Sequence, residues 1–553
     1  MTLKALQVLS VLIALAVLLP LGLVAVSALS PRFEIWQHLF ETRLAELVWN
    51  TLRLLVGVGI GAGTLGVGLA WLVSAYRFPG RDQFAWLLLV PLAMPAYVAG
   101  FVAVALFDFA GPVQQWLRDS LGYTGWVPPI RSWGGVVLTM SLVFYPYVYL
   151  LARAAFSERA VPMIEAARSL GQSPLSAFWR LSLPLARPAI AAGLALALME
   201  TLGDFGTVSV FGYDALTTAI YRVWFGMFDR VAAGQLALVL TGFAAVLIWS
   251  ERWSRRRIRH APADSHRATL VPLPPKRAWL ATAVCGAVLL VALVIPAAVL
   301  VKWSIKAIAS GSLASNYPRL LTNTAAVTLL ATVLVVVAGL VLVLVRRLDG
   351  RPFFRSLGEV SLLGYAMPGS VIAVGALLLF EAVDNGLAEL IAWLTGETPP
   401  LLLIASGAGL LFAYVVRFTA VSRQALQAGM ERIPVPLDEA ARSLAAGPGR
   451  LALRVHLPLL RRSLLAAALL VAVEVLKEMP MTMLIRPFGF ETLAVEVWLR
   501  TTEAMWIEAA PPSLAIVLVG AALLALLHRL ADPLERASES GYHRERGHPE
   551  VCG

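Results

Sequence analysis

The chain has 553 residues, 59% hydrophobic and 14% charged, with a mean hydropathy of +0.77, against roughly 45–50% apolar and 25% charged for an average soluble domain. That balance excludes an ordinary soluble enzyme; at about 20 apolar residues per bilayer crossing it provides for on the order of a dozen membrane helices. Lys and Arg number 45 against 34 Asp and Glu, a formal +11, an excess that in a polytopic membrane protein belongs to cytoplasmic loops rather than to nucleic acid.

Apolar runs of spanning length fall near residues 5–29, 52–75, 84–107, 134–152, 188–211, 233–250, 279–301, 323–345, 357–383, 400–417, 463–484 and 512–530, about twelve in all. The first, behind Lys4, is longer than a signal-peptide core and reads as a retained helix despite the cleavage-like Ala25-Val26-Ser27. The second contains Gly61-Ala-Gly63-Thr-Leu-Gly66, which fits GxGxxG but follows no soluble strand, so its expected role is close helix packing. Asp108, Glu381 and Asp384 fall near outer helix ends, as docking or solvated residues. Residues 251–277 hold eight Lys and Arg and four prolines and form a basic linker. It separates a first repeat, 1–250, from a second, 278–530, with a polar tail at 531–553. Cys285 and Cys552 lie in environments too different for a disulfide or metal site. No GxxxxGK[ST] and no His/Cys/Asp cluster of metal-site spacing occurs; His456 stands alone in a loop, and no catalytic residue or tight metal site is expected.

Placing the N-terminus in the cytoplasm puts most of the basic residues inside: Lys4, Arg77, Arg81, the arginines from Arg153 to Arg187, the linker, Arg346 to Arg355, the group from Arg417 to Arg462 and the tail. The positive-inside rule selects that orientation, with both termini cytoplasmic.

The two halves repeat. Pro162-Met-Ile-Glu165-Ala166-Ala167-Arg168-Ser169-Leu170 recurs as Pro436-Leu-Asp-Glu439-Ala440-Ala441-Arg442-Ser443-Leu444, and Leu183-Pro184-Leu185 as Leu457-Pro458-Leu459, at an offset of 274 residues. Ala93-Met94-Pro95 recurs as Ala366-Met367-Pro368, and Phe211-Gly212 as Phe488-Gly489. An even number of helices per half makes the copies parallel, related by an axis along the membrane normal.

Each repeated loop joins the fourth and fifth helices of its half. Glu-Ala-Ala-Arg-Ser-Leu favours a short helix, the Gly171-Gln172 turn ends it, and Ser173-Pro174 restarts the chain as a cap and first-turn proline. The pattern, residues 162–188 and 436–462, resembles the EAA loop of ABC importer permeases. In the second copy Ala445 stands where Gly171 stands in the first, a departure that shifts the turn to Gly447 or weakens the contact. Met199-Glu200-Thr201-Leu202-Gly203-Asp204-Phe205-Gly206, Thr217-Thr218-Ala219-Ile220-Tyr221-Arg222 and Leu476-Lys477-Glu478-Met479-Pro480 are similar to the fused two-domain permeases of ferric-iron ABC importers, binding-protein-dependent inner-membrane components.

The resemblance implies an all-α polytopic membrane protein, two parallel six-helix repeats of type I ABC importer permease kind, in the bacterial inner membrane. It implies Fe(III) delivered by a periplasmic or lipid-anchored binding protein, and alternation between outward- and inward-open states. Glu165, Ala166, Ala167, Arg168 and Gly171, with Glu439, Ala440, Ala441, Arg442 and Ala445, would then engage a cytoplasmic ABC ATPase dimer, on which ATP and Mg are bound; this chain binds no cofactor. Thiamine and other small-solute permeases share the double loop. An ion-gradient-driven secondary transporter is the reading from another class, its membrane carboxylates serving as proton or Na⁺ sites.

Glu200 and Asp204 are four apart on one face of the fifth helix, and Glu474 and Glu478 are their repeat counterparts in the eleventh. Glu200 falls about 18 Å along its run, at 1.5 Å per residue, near the middle of a hydrocarbon layer about 30 Å thick. A charged side chain at that depth costs about 2.5–3.5 kcal/mol in lipid. The four acids therefore either line a wet translocation pathway, where carboxylate oxygens suit a hard cation held weakly in transit, or form a structural network with Lys477 and nearby backbone groups.

Overall fold

In the computed structural model, residues 2–27, 29, 33–123, 125–169, 171, 173–256, 270–397, 403–404 and 406–545 are described; side chains of 33–35, 158–169, 174–175, 251–256 and 531–545 are not. Arg257, Arg259 and Arg267 of the linker and Cys552 of the tail lie outside the described residues.

The first half comprises α1 (Leu3–Ser27), α2 (Leu44–Ala75), a short helix Arg81–Leu87 and 3-10 turn Val90–Ala93, then α3 (Ala96–Phe107), α4 (Trp133–Ser169), α5 (Leu183–Gly203), α6 (Gly206–Val210), α7 (Leu216–Gly226) and α8 (Arg230–Arg256). The second comprises α9 (Pro275–Ala309, with a π turn at Leu290–Val294), α10 (Tyr317–Leu348), α11 (Pro352–Ala366), α12 (Gly369–Thr395), α13 (Ala408–Glu431), α14 (Val435–Ser443), α15 (Arg461–Lys477), α16 (Pro480–Ile485), α17 (Leu493–Thr502) and α18 (Trp506–Glu545). The repeat seen in sequence is thus a repeat of structure: α2 and α10 have the same length of 32 residues at an offset of 273.

Among the described residues, ten helices are long and apolar enough to cross a membrane. The expected runs 400–417 and 463–484 correspond to α13 and α15, which pack in the same bundle. The first carries Arg417 and Arg423, and the second is only 17 residues long.

Four runs expected as continuous helices, 84–107, 188–211, 357–383 and 463–484, are each broken inside the bundle. Met94 and Met367 are extended because each precedes a proline, whose ring disfavours the helical region for the preceding residue. The break at 204–205 has no proline; Asp204 itself is extended, between Gly203 and Gly206. Glu478 is extended in the same way ahead of Pro480. Backbone left unpaired near the first break finds side chains: the hydroxyls of Tyr145 and Tyr149 donate to the carbonyls of Leu88 and Ala85, both at 3.0 Å.

Helix packing follows the small residues. A Cβ on Gly61 would overlap Ser141, and one on Gly66 would lie 2.6 Å from Val148 Cβ, so α2 and α4 are in direct backbone approach. The glycine run of α2 is a packing stripe. The first helix of each half crosses to the other: α1 packs on α10, α11 and α12, while α9 stacks Trp303 on Phe101 of α3. Tyr76–Arg77 pairs in parallel with Val271–Pro272, tying the end of the linker to α2. The halves are interlocked rather than side by side.

Candidate translocation site

The four breaks converge. A cavity of about 60 Å³, room for a few water molecules, is lined by Met94, Tyr97, Tyr147, Glu200, Asp204 and Gly206 of the first half and by Arg417, Glu474, Lys477, Glu478 and Pro480 of the second. All four acids singled out from the sequence therefore come together. Glu200 and Glu474 project from helices; Asp204 and Glu478 do not continue the helical face expected for them, because α5 and α15 end immediately before them. Beyond the helix end each acid accepts from the backbone N–H three residues on, Asp204 from Thr207 at 2.7 Å and Glu478 from Met481 at 3.0 Å. These carboxylates cap the short helices α6 and α16 while facing the cavity.

Two basic side chains enter the same space. Lys477 Nζ lies 3.0 Å from Glu474 Oε1, and Arg417 Nε lies 3.6 Å from Glu478 Oε2. Arg417, assigned from the sequence to an inner loop, is 6% exposed within α13. The reason is that α13 begins at Ala408 and runs to Glu431, so the tenth run extends well past residue 417. The repeat itself held the clue: at an offset of 274, Arg417 aligns with Val143, which lines the same cavity. Gly369, at the start of α12, leaves room for this ion pair; a Cβ there would overlap Arg417 and lie 2.9 Å from Glu478 Oε1.

Tyrosines, not singled out from the sequence as pathway residues, surround the acids, and three of them bridge the halves. The hydroxyl of Tyr365 in α11 donates to Glu200 at 3.2 Å. Lys477 lies 3.4 Å from the Tyr147 hydroxyl, Tyr221 donates to the Pro480 carbonyl, and Tyr414 is 2.6 Å from Thr482. Phe205, at the first-half break, stacks on Tyr221 with centroids 3.6 Å apart and tilts against Trp498 of the second half at 5.7 Å.

The same side chains line two further cavities. Phe205, Tyr221 and Trp498 wall a cavity of about 380 Å³ on the side of α7. Tyr365 walls another of about 700 Å³ between the halves, with Met199, Glu359 and Arg423. The acid-lined cavity is linked to both by its own residues: Asp204 and Gly206 of its lining flank Phe205, and its Glu200 accepts from Tyr365.

Of the three acids expected near outer helix ends as docking or solvated residues, Asp108 and Glu381 stay partly exposed and Asp384 is buried. Asp384 is 3% exposed and accepts from the N–H groups of Leu403 and Ile404 at 2.9 and 3.1 Å. It holds a loop. Asp108 pairs with Arg131 at 3.0 Å, and Glu381 with Arg230 at 2.7 Å, the latter joining the halves.

In the second repeated loop Glu439, Ala440 and Arg442 are exposed on α14. The turn stays at Ala445, with φ +56°, and does not move to Gly447. The N–H of Ala446 reaches the Ala441 carbonyl at 3.0 Å and that of Ala445 the Arg442 carbonyl at 2.9 Å, the two bonds that end a helix through a left-handed residue. Gly171 keeps φ +74° in the first copy. There Glu165 to Arg168 form the end of α4, with side chains outside the description. Beneath α14, Asp438 accepts from Arg347 Nε at 2.6 Å and lies 2.9 Å from His456 Nε2. Arg347 also donates to the Ile433 carbonyl at 3.0 Å. Burial pushes the Asp438 carboxyl up, but the hydrogen bonds and charges of Arg347 and His456 outweigh it and hold the group below the usual carboxylate range.

A membrane bundle of two interlocked repeats, with a polar cavity where their broken helices meet, is the architecture of a transport permease. The sequence profile of binding-protein-dependent transport system inner membrane components matches residues 62–260 and 349–539, one copy in each half. The chain belongs to that family and is an ABC importer permease of the inner membrane. It is 26% identical over 498 residues to the Fe(3+)-transport system permease protein FbpB 2 of Haemophilus influenzae, covering 89% of this chain and 91% of that one. It is also similar to the sulfate transport system permease protein CysT of Escherichia coli, 29% identical over 45% of this chain and 92% of the relative. A probable molybdenum ABC transporter permease protein of Haloferax volcanii is 34% identical over 36% of this chain and 69% of its own length.

Proposed function

We propose that this permease carries Fe(III) inward through the acid-lined cavity, taking it from an extracytoplasmic binding protein and driven by ATP hydrolysis on a separate cytoplasmic ATPase dimer. The observation that carries the cargo class is the count of charges at the junction: Glu200, Asp204, Glu474 and Glu478 against Arg417 and Lys477. An excess of carboxylate oxygens favours a hard cation over an anion. The likeness to a Fe(3+) permease along nearly the whole of both chains supports the same cargo. The two repeated loops face the cytoplasm with both termini, and Glu165 and Glu439 engage the ATPase. Closure of the ATPase pulls α5 and α15 through these loops and so loosens the contacts on either side of the cavity in turn.

The sulfate and molybdenum relatives, together with the buried Arg417, favour an oxyanion as the second reading. Uptake of radiolabelled Fe(III), sulfate and thiamine, compared in cells with and without this chain, separates the readings. Loss of iron uptake alone is the expected result; loss of sulfate or thiamine uptake with iron uptake intact overturns it. Uptake that an uncoupler abolishes and that survives loss of the ATPase would identify an ion-gradient-driven carrier instead.

A further inference from the structure

Arg417 has no first-half counterpart, and its role follows from how it is held. Its guanidinium is buried, yet Nε and Nη1 have no hydrogen-bond partner. The contact with Glu478, at 3.6 Å, is longer than a hydrogen bond, so attraction between charges holds the pair without directional bonding. Such an arrangement breaks without sacrificing a hydrogen bond. Tyr97 Oη, buried and lining the same cavity, is also unpartnered. Lys477 sits at the repeat position of Gly203, again without a basic counterpart in the first half. Both cations thus come from the second half, and between them they engage the two second-half acids, Glu474 and Glu478.

We infer that Arg417 and Lys477 are resident counter-cations: they occupy the second-half carboxylates while the pathway is empty, and a cargo cation passes by displacing them. This inference rests on the reading of the cargo as a cation. Four carboxylates left bare would be costly to enclose and would hold a trivalent ion too tightly to release it. Two tethered cations reduce both the cost and the affinity, and their return helps to expel the ion. The unpartnered Arg417 N–H groups and Tyr97 hydroxyl are free to re-pair when the carboxylates turn to the cargo.

The test uses Tb³⁺, a hard trivalent ion whose emission is sensitised by nearby aromatic rings, on the full-length chain purified in detergent. A variant with Glu200, Asp204, Glu474 and Glu478 all changed to Gln or Asn provides the background. Wild-type binding is expected to be weak. Arg417→Gln and Lys477→Gln should each tighten it at least tenfold, and Arg417→Lys, which keeps the charge, should leave it near the wild-type value. A second readout needs no variant: pulse acetylation of Lys477, followed by mass spectrometry, should speed up in the wild-type chain when Tb³⁺ is added and not when sulfate is added. Unchanged or weaker Tb³⁺ binding in both neutralised variants, or Lys477 acetylation indifferent to Tb³⁺, overturns the inference. So does radiolabelled sulfate bound by the wild type and lost in Arg417→Gln. Failure of iron uptake in cells with the Tb³⁺ pattern intact would overturn the iron cargo and leave the counter-cation role standing.

Discussion

Ala445 shows how one residue departs from its repeat without losing the structure around it. A left-handed conformation costs a non-glycine residue about 1–2 kcal/mol, and Ala445 adopts it at φ +56° because the two closing hydrogen bonds to Ala441 and Arg442 are retained. Replacing Ala445 with Gly should relieve about 1 kcal/mol of that strain. The Ala446 amide should then exchange with solvent about fivefold more slowly by hydrogen-exchange mass spectrometry; faster exchange would show that the turn is not strained. The same scale explains why Glu200 and Glu474 were legible as membrane acids while Arg417 was not. A carboxylate in the centre of an apolar run has no other reading, whereas an arginine near the run's end looks like the first residue of a loop until the helix boundary is known.

At the scale of elements, α14 is held to the bundle by one buried carboxylate. Asp438 links it to Arg347 at the end of α10 and to His456 in the π turn Ala452–His456 that precedes α15. The two residues are not repeated in the first half, where Ile164 and Ser182 stand at the positions of Asp438 and His456. Asp438→Asn should loosen α14 by about 2 kcal/mol, the scale of hydrogen bonds to charged groups, read as faster hydrogen exchange through 435–443 with the membrane helices unaffected. Because the Asp438 carboxyl lies below its usual value of 3.8 in the folded chain, its contribution is fully present above that pH. It is lost as pH falls through the folded value. Loosening of α14 in the wild type should therefore appear only below about pH 4 and be absent in Asp438→Asn. The broken helices belong to this scale too: Pro95, Pro368 and Pro480 are visible in sequence as breakers, but the break at Asp204–Phe205 carries no proline and follows from glycines on both sides and from the cap that Asp204 gives α6.

Across the whole molecule, α1 packs on α10, α11 and α12 of the second half while α9, packed on α18 of its own half, also reaches α3 of the first, so the two repeats are interlocked. The double variant Glu165→Lys/Glu439→Lys should insert and fold normally, fail to retain the ATPase on co-purification, and lose uptake by at least an order of magnitude. Normal uptake by that variant would remove the repeated loops from the coupling path.

The sequence by itself determined the membrane class, the parallel repeat, the position of the repeated loops and the four acids, because hydropathy, charge asymmetry and repetition are properties of order along the chain. Only the tertiary structure decided that the acids meet in one cavity, that Asp204 and Glu478 lie past helix ends, and that Arg417 and Lys477 pair with them. It alone placed five tyrosines from both halves around that site and crossed the first helices. Those facts depend on where helices stop and which faces meet, and contacts such as Tyr365–Glu200 and Lys477–Tyr147 join segments far apart in the chain, which order along the sequence does not fix.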